Sequence, residues 1–275
     1  MSLCINYCAP DMDYIDVAPE IKIKLNAKDD TLKEFIEKHA DQHIYITIDE
    51  NFFKNKKEAK RLQEIKELDN WSLILPVELI QEKDNPNNID HVKLSAIQDI
   101  CPRYIFSDKV GGWEILQFIL SLGPSEVYIT NILGFDLPNV KKACAGVKIR
   151  VYANVAQAAW DDLLAIKKFF IRPEDVQIYE QYVDSIEFIG DAPIQEVCYK
   201  AYSRGSWHGD LSEIIIGLGD SLDSRRLPQY FGILRADCKK RCLMGGRCSS
   251  CRSMVNFAQR MEKTNTQIIP LSKQN

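Results

Sequence analysis

The feature that most constrains this chain is a repeated switch of hydrophobic period, from two to about three and a half and back, eight times in succession. Ile21, Ile23 and Leu25 interleave with Lys22, Lys24 and Asn26, the period of a strand. Thr31 then opens a helical stretch to Ala40 with Leu32, Phe35 and Ile36 on one face. The same alternation gives strands at His43–Asp49, Trp71–Glu78, Arg103–Ser107, Glu126–Ile132, Lys148–Val155, Phe169–Ile171 and Ser185–Ile189. Between them lie helical stretches from Phe52, Asp90, Gly112, Asp136, Asp161 and Pro173, and a last one follows from Pro193. Eight strand–helix units in this length predict a (β/α)8 TIM-type barrel, which needs roughly 200–250 residues. An open doubly wound α/β sheet is the alternative arrangement of the same units.

The expected organisation is a short N-terminal segment over 1–20, the barrel over 21–207, an extension over 208–263 and a flexible tail over 264–275. No apolar run is long enough to span a bilayer, and the first residues lack the basic and apolar regions of a secretory signal. A cytoplasmic protein is the expectation, and nine cysteines in a reducing compartment favour metal ligation over disulfides.

Four of those cysteines fall within fourteen residues, Cys238, Cys242, Cys248 and Cys251, spaced C-x3-C-x5-C-x2-C around Gly245 and Gly246. Four sulfur ligands suit a 4Fe–4S cluster or a Zn²⁺ ion, and the spacing does not separate them. Cys4-x3-Cys8 begins like the radical-SAM triplet, but Asp11 stands where the third cysteine is required. Eight basic against two acidic residues give the window from Leu234 to Lys263 a net charge of +6, within a chain whose net charge is −4. Such cations either offset the thiolates or face phosphate. There is no Walker A loop, no G-x-G-x-x-G after a strand, no H-E-x-x-H and no G-x-S-x-G.

In a barrel of this type chemistry sits at the carboxyl ends of the strands. That rule nominates Asp49, Glu50, Glu78, Asp108, Asn131, Asn154, Gln157, Arg172, Glu174 and Asp191, an acidic and amide-rich mouth with one arginine. Each also fits an ordinary capping or loop role. His208, in Arg204-Gly-Ser-Trp-His208-Gly-Asp210, is a candidate base, fifth ligand or hydrogen-bonder to a cluster sulfur.

Glu126-Val-Tyr-Ile-Thr-Asn131 with Gly134-Phe-Asp, and Lys148-Ile-Arg-Val-Tyr-Ala-Asn154, resemble consecutive barrel strands of the collagenase-like peptidase family. Arg172-Pro-Glu-Asp and Val183-Asp-Ser-Ile-Glu187-Phe-Ile-Gly190 extend the resemblance, which covers roughly Tyr104 to Cys251. It implies an iron–sulfur protein that helps hydroxylate RNA or ubiquinone precursors, with the four late cysteines as cluster ligands. Family cysteines are usually more widely spread than these. The spacing is also similar, with its outer intervals swapped, to the auxiliary-cluster motif of radical-SAM maturases. The catalytic candidates are then Asp49, Glu78, Asn154, Arg172, Glu187 and His208. The expected function is redox modification of an RNA base or a small aromatic metabolite, with RNA, a protein partner or a redox donor as partners. The alternative is a zinc-stapled barrel that binds RNA or protein without catalysis.

Overall fold

A computed structural model describes residues 1–7, 14–25, 31–50, 52–82, 88–101, 103–110, 112–129, 136–156, 169–219, 221–227 and 253. The four-cysteine stretch and the 264–275 tail lie outside the described residues. Eight parallel strands close into one barrel: β1 (Ser2–Asn6), β2 (Glu20–Lys24), β3 (His43–Thr47), β4 (Trp71–Pro76), β5 (Tyr104–Val110), β6 (Glu126–Ile129), β7 (Lys148–Tyr152) and β8 (Ser185–Glu187). The ladder runs in sequence order and closes where β1 pairs with β8, Cys4 beside Glu187. The barrel class is thus as expected, and the open sheet is not formed.

The strand count of eight conceals one substitution. Ser2–Asn6 is the first barrel strand, so the barrel begins before residue 21. Phe169–Ile171 is buried and supplies none of the eight barrel strands, though Phe169 makes an isolated bridge; Ile171 donates its N–H to the Ala153 carbonyl, and its own carbonyl accepts from Tyr202 Oη. Burial and the bond to Ala153 just beyond β7 give the stretch its strand-like composition without making it a barrel strand.

Helices α1 (Leu32–Lys38), α2 (Lys56–Glu64), α3 (His91–Ile100), α4 (Trp113–Ser121), α5 (Leu137–Ala143) and α6 (Val176–Tyr179) occupy successive crossovers from β2 to β8. The longest, α7 (Ala192–Arg204), follows β8. Caps set their starts: Asn55 accepts from Lys57 N, Asp90 from Lys93 N and Asp191 from Ile194 N. Gly190 makes the turn from β8 to α7 at φ +127, where a Cβ would meet Ile194 at 3.0 Å. Among the described residues no helix is long and apolar enough to cross a membrane.

The main core lies between strands and helices, not inside the barrel. Ile5, Ile21, Ile23, Ile44, Ile46, Leu73, Val127, Ile149, Val151 and Ile186 face the helix layer and belong to one apolar cluster. The extension joins it through Leu211, Ile214, Ile215 and Leu218, and Ile216 pairs with Val155 beyond β7. Alternate residues on each strand point inward, and there the pattern reverses: Glu20, Lys22, Tyr45, Ser72, Glu126, Tyr128, Arg150, Ser185 and Glu187 replace the branched aliphatics that usually fill such a barrel. Only a small apolar cluster of Cys4, Tyr45, Ile74, Ile105 and Tyr128 occupies the interior.

Candidate active site at the carboxyl mouth

The inward residues of β2 measure depth in the barrel. Side-chain exposure rises from 9% at Glu20 through 18% at Lys22 to 71% at Lys24, so the carboxyl end opens to solvent. At the centre lies Arg150, fully buried, with its guanidinium carbon 4.1 Å from the Tyr45 ring centroid. Its Nε donates to Glu126 and its Nη2 to Glu20 at 2.8 Å. Its Nη1 stands 3.9 Å from Glu187 Oε2, too long for a hydrogen bond, and has no hydrogen-bond partner. Tyr45 donates to Glu126 at 3.0 Å and Ser185 to Glu20 at 2.6 Å.

Nearer the mouth, Glu187 is enclosed by donors. Lys22 Nζ reaches Oε1 at 2.9 Å, Asn6 Nδ2 reaches it at 3.2 Å, and Tyr128 Oη reaches Oε2 at 2.6 Å. Lys22 Nζ also lies 5.4 Å from the Tyr128 ring and 6.0 Å from that of Tyr152. Asn6 is fixed in turn by Gln195, which accepts from its backbone N–H at 2.6 Å. At the rim Lys24 pairs with Asp49 at 3.3 Å.

Three carboxylates thus face two cations, and a buried net charge is costly. The acids divide accordingly. Burial raises Glu126 above the usual carboxylate range despite Arg150 beside it. Burial acts in the same direction on Glu187, but Lys22 and Arg150 outweigh it, and this carboxyl is held below the usual range. Glu126 is therefore the group suited to hold a proton, and Glu187 the permanent anion that fixes the Lys22 ammonium. Burial lowers His43 to about 4, so its ring is neutral beside Ser72 Oγ at 2.8 Å. Cys4 is pushed well up by burial and is an inert thiol.

The candidates read from sequence separate into mouth, scaffold and surface. Glu187 is at the site, as a positioning anion with no exposure of its own. Asp49 is at the rim, and Glu78 is exposed on the turn after β4. Asn154 is fully buried and clamps the β7 and β8 ends: its Nδ2 donates to the Ile189 carbonyl at 2.7 Å and its Oδ1 accepts from Ile189 N at 2.8 Å. Arg172 makes a two-pronged pair with Asp175, at 2.6 and 2.7 Å, and is 2% exposed. Burial and these internal bonds give both side chains a structural role. His208 is exposed on the segment after α7, and among the described residues no hydrogen bond or ion pair joins it to the mouth. Asn131 and Gln157, and the side chain of Asp108, lie outside the described residues, as do Cys238, Cys242, Cys248 and Cys251. The described free cysteines, Cys4, Cys101, Cys144 and Cys198, are all buried.

Lys22, Arg150, Glu20 and Glu126 were not among the sequence candidates. Their signal was the alternation itself: a parallel strand buried on both faces ordinarily reads as continuously apolar, so charges at every second position mark a polar barrel interior.

No family model and no curated protein matches this sequence. Among solved structures, similarity is found to a tryptophan synthase complex from Pyrococcus furiosus, at 13% identity and a TM-score of 0.46 over 78% of this chain and 97% of that one. Similarity is also found to tryptophan synthase subunit alpha from Legionella pneumophila str. Paris, at 13% identity and a TM-score of 0.43 over 79% and 90% of the two chains. Likeness at that level carries no functional argument, and the barrel rests on its own strand ladders.

Proposed function

We propose that this chain is an enzyme that modifies an RNA base or a small aromatic metabolite at its carboxyl mouth, with a 4Fe–4S cluster on Cys238, Cys242, Cys248 and Cys251. The observation that carries the reading is the Lys22 ammonium, held at 2.9 Å on buried Glu187 yet 18% exposed toward the open end. A cation fixed by a buried anion, at the end where such barrels work, is a preorganised electrostatic group. Lys22 would donate to a substrate oxygen, the half-buried Tyr152 ring would offer a stacking face, and Glu187 would keep Lys22 in place. Four thiolates are a complete donor set for the cluster, which would supply electron transfer.

Anaerobically prepared, reduced protein incubated with RNA and with a mixture of aromatic acids, followed by mass analysis of both, tests it. The expected result is a mass-shifted product with the wild type and none with a folded Lys22→Met variant. Equal turnover by the variant, or no product from any substrate, overturns the proposal. The +6 window favours a second reading, a zinc-stapled barrel that binds RNA without catalysis. That protein would retain RNA and convert nothing.

A further inference from the structure

From the mouth geometry we infer that the barrel holds a site for the oxyanion of a small ligand, a carboxylate or phosphate group, formed by Lys22, Lys24 and Thr47. This rests on the mouth being the substrate site and specifies which part of the substrate it takes. Lys22 and Lys24 are two residues apart on β2, on its inner face, one inside the barrel and one at its rim. Thr47 is the register partner of Lys24 on β3, and its Oγ1 is buried without a hydrogen-bond partner among the described residues. Two ammonium groups and an unused hydroxyl along one edge of the mouth match the acceptor-rich surface of an oxyanion.

Both lysines are paired, Lys22 with Glu187 and Lys24 with Asp49, so an anion must compete for them. The competition is uneven in the ligand's favour. Lys24 and Asp49 are 71% and 40% exposed, and an exposed pair of this kind is held only weakly against solvent. Lys22 uses one of its three donors on Glu187, and Glu187 keeps Asn6 and Tyr128 if Lys22 leans toward a ligand. Arg150 Nη1, 3.9 Å from Glu187 Oε2, also stays beside the carboxylate as a second cation. Withdrawal of Lys22 therefore does not strand a buried charge. The depth of Lys22 selects the ligand: a carboxylate or phosphate on a small molecule can descend to it, whereas the backbone of a nucleic acid strand would meet only the rim at Lys24.

The test is titration of the full-length protein with benzoate, inorganic phosphate and a short single-stranded RNA at constant ionic strength, read by calorimetry and by chemical shifts of labelled lysine. Saturable binding of benzoate or phosphate is expected, with affinity reduced about tenfold in Lys22→Met and about threefold in Lys24→Met or Thr47→Val, since each tenfold is about 1.4 kcal/mol. Benzoate alone binding identifies a carboxylate ligand, and phosphate alone a phosphate ester. Lys24→Met and Thr47→Val alter no buried ion pair, so they keep the test readable if Lys22→Met fails to fold. Absence of saturable anion binding, or binding unchanged in all three variants, overturns the oxyanion site. RNA binding that depends on Lys24 but not on Lys22, with neither benzoate nor phosphate bound, also overturns it. Turnover of an uncharged substrate without anion binding would leave the mouth as the reaction site and remove only this inference.

Discussion

Replacing Arg150 by Met should be among the most damaging single changes in the protein, and its damage should depend on pH. Arg150 is fully buried and bridges Glu20 and Glu126, with Glu187 at 3.9 Å. Methionine fills similar space but leaves buried carboxylates without their cation, and removing one partner of a buried pair costs about 3–5 kcal/mol. Near 2–4 °C per kcal/mol for a domain approaching this size, the melting temperature should fall by roughly 6–20 °C at neutral pH. Without Arg150, Glu126, already raised by burial, would be easier still to protonate in the folded protein than in the unfolded chain. A carboxyl whose folded pKa lies above its unfolded one contributes most below the unfolded pKa and loses that contribution as pH rises through the folded pKa. The deficit against wild type should therefore grow as pH rises, read between about pH 5 and pH 8. Thermal unfolding by circular dichroism across that range is the assay, with Glu20→Gln and Glu126→Gln added as rescue. A deficit under about 1 kcal/mol at neutral pH, the value of an exposed pair, would refute the buried network. So would a deficit that does not change with pH.

In the wild type, Glu126→Gln should flatten the loss of stability that Glu126 causes as pH rises above the ordinary carboxylate range, since burial has raised that group. Parallel melts of the two proteins against pH check this. Asn154→Ala should cost about 1–3 kcal/mol, the penalty for unmet buried hydrogen bonds at the Ile189 backbone, without changing ligand affinity in proportion. Arg172→Lys should lower stability by loss of its two-pronged contact with Asp175 and leave binding at the mouth intact; chemical denaturation beside calorimetry separates the two.

Much of the fold was legible because hydrophobic period is a local property. Ile21, Ile23, Ile149 and Val151 announced strands, and Asp90 and Pro193 announced helix starts. Strand β1 escaped notice because five residues containing Cys4 and Asn6 are too short and too polar inside to signal a strand. Phe169–Ile171 was counted instead because burial just beyond β7 selects the same residue types as pairing does. The site was harder to read. Glu187 was named through the stretch Val183–Gly190 that carries the resemblance, whereas Arg150 and Glu20 look in sequence like residues of a solvated face. What makes them interior is ring closure between β1 and β8, a long-range event. Asn154 and Arg172 occupied positions that suit catalysis, and only their partners reveal that they hold the chain together.

The iron–sulfur assignment is tested most directly by metal content and absorbance after anaerobic purification. About four irons per chain with a broad band near ~400 nm is the predicted result, with loss of both in Cys242→Ala. A colourless protein carrying one zinc would contradict it.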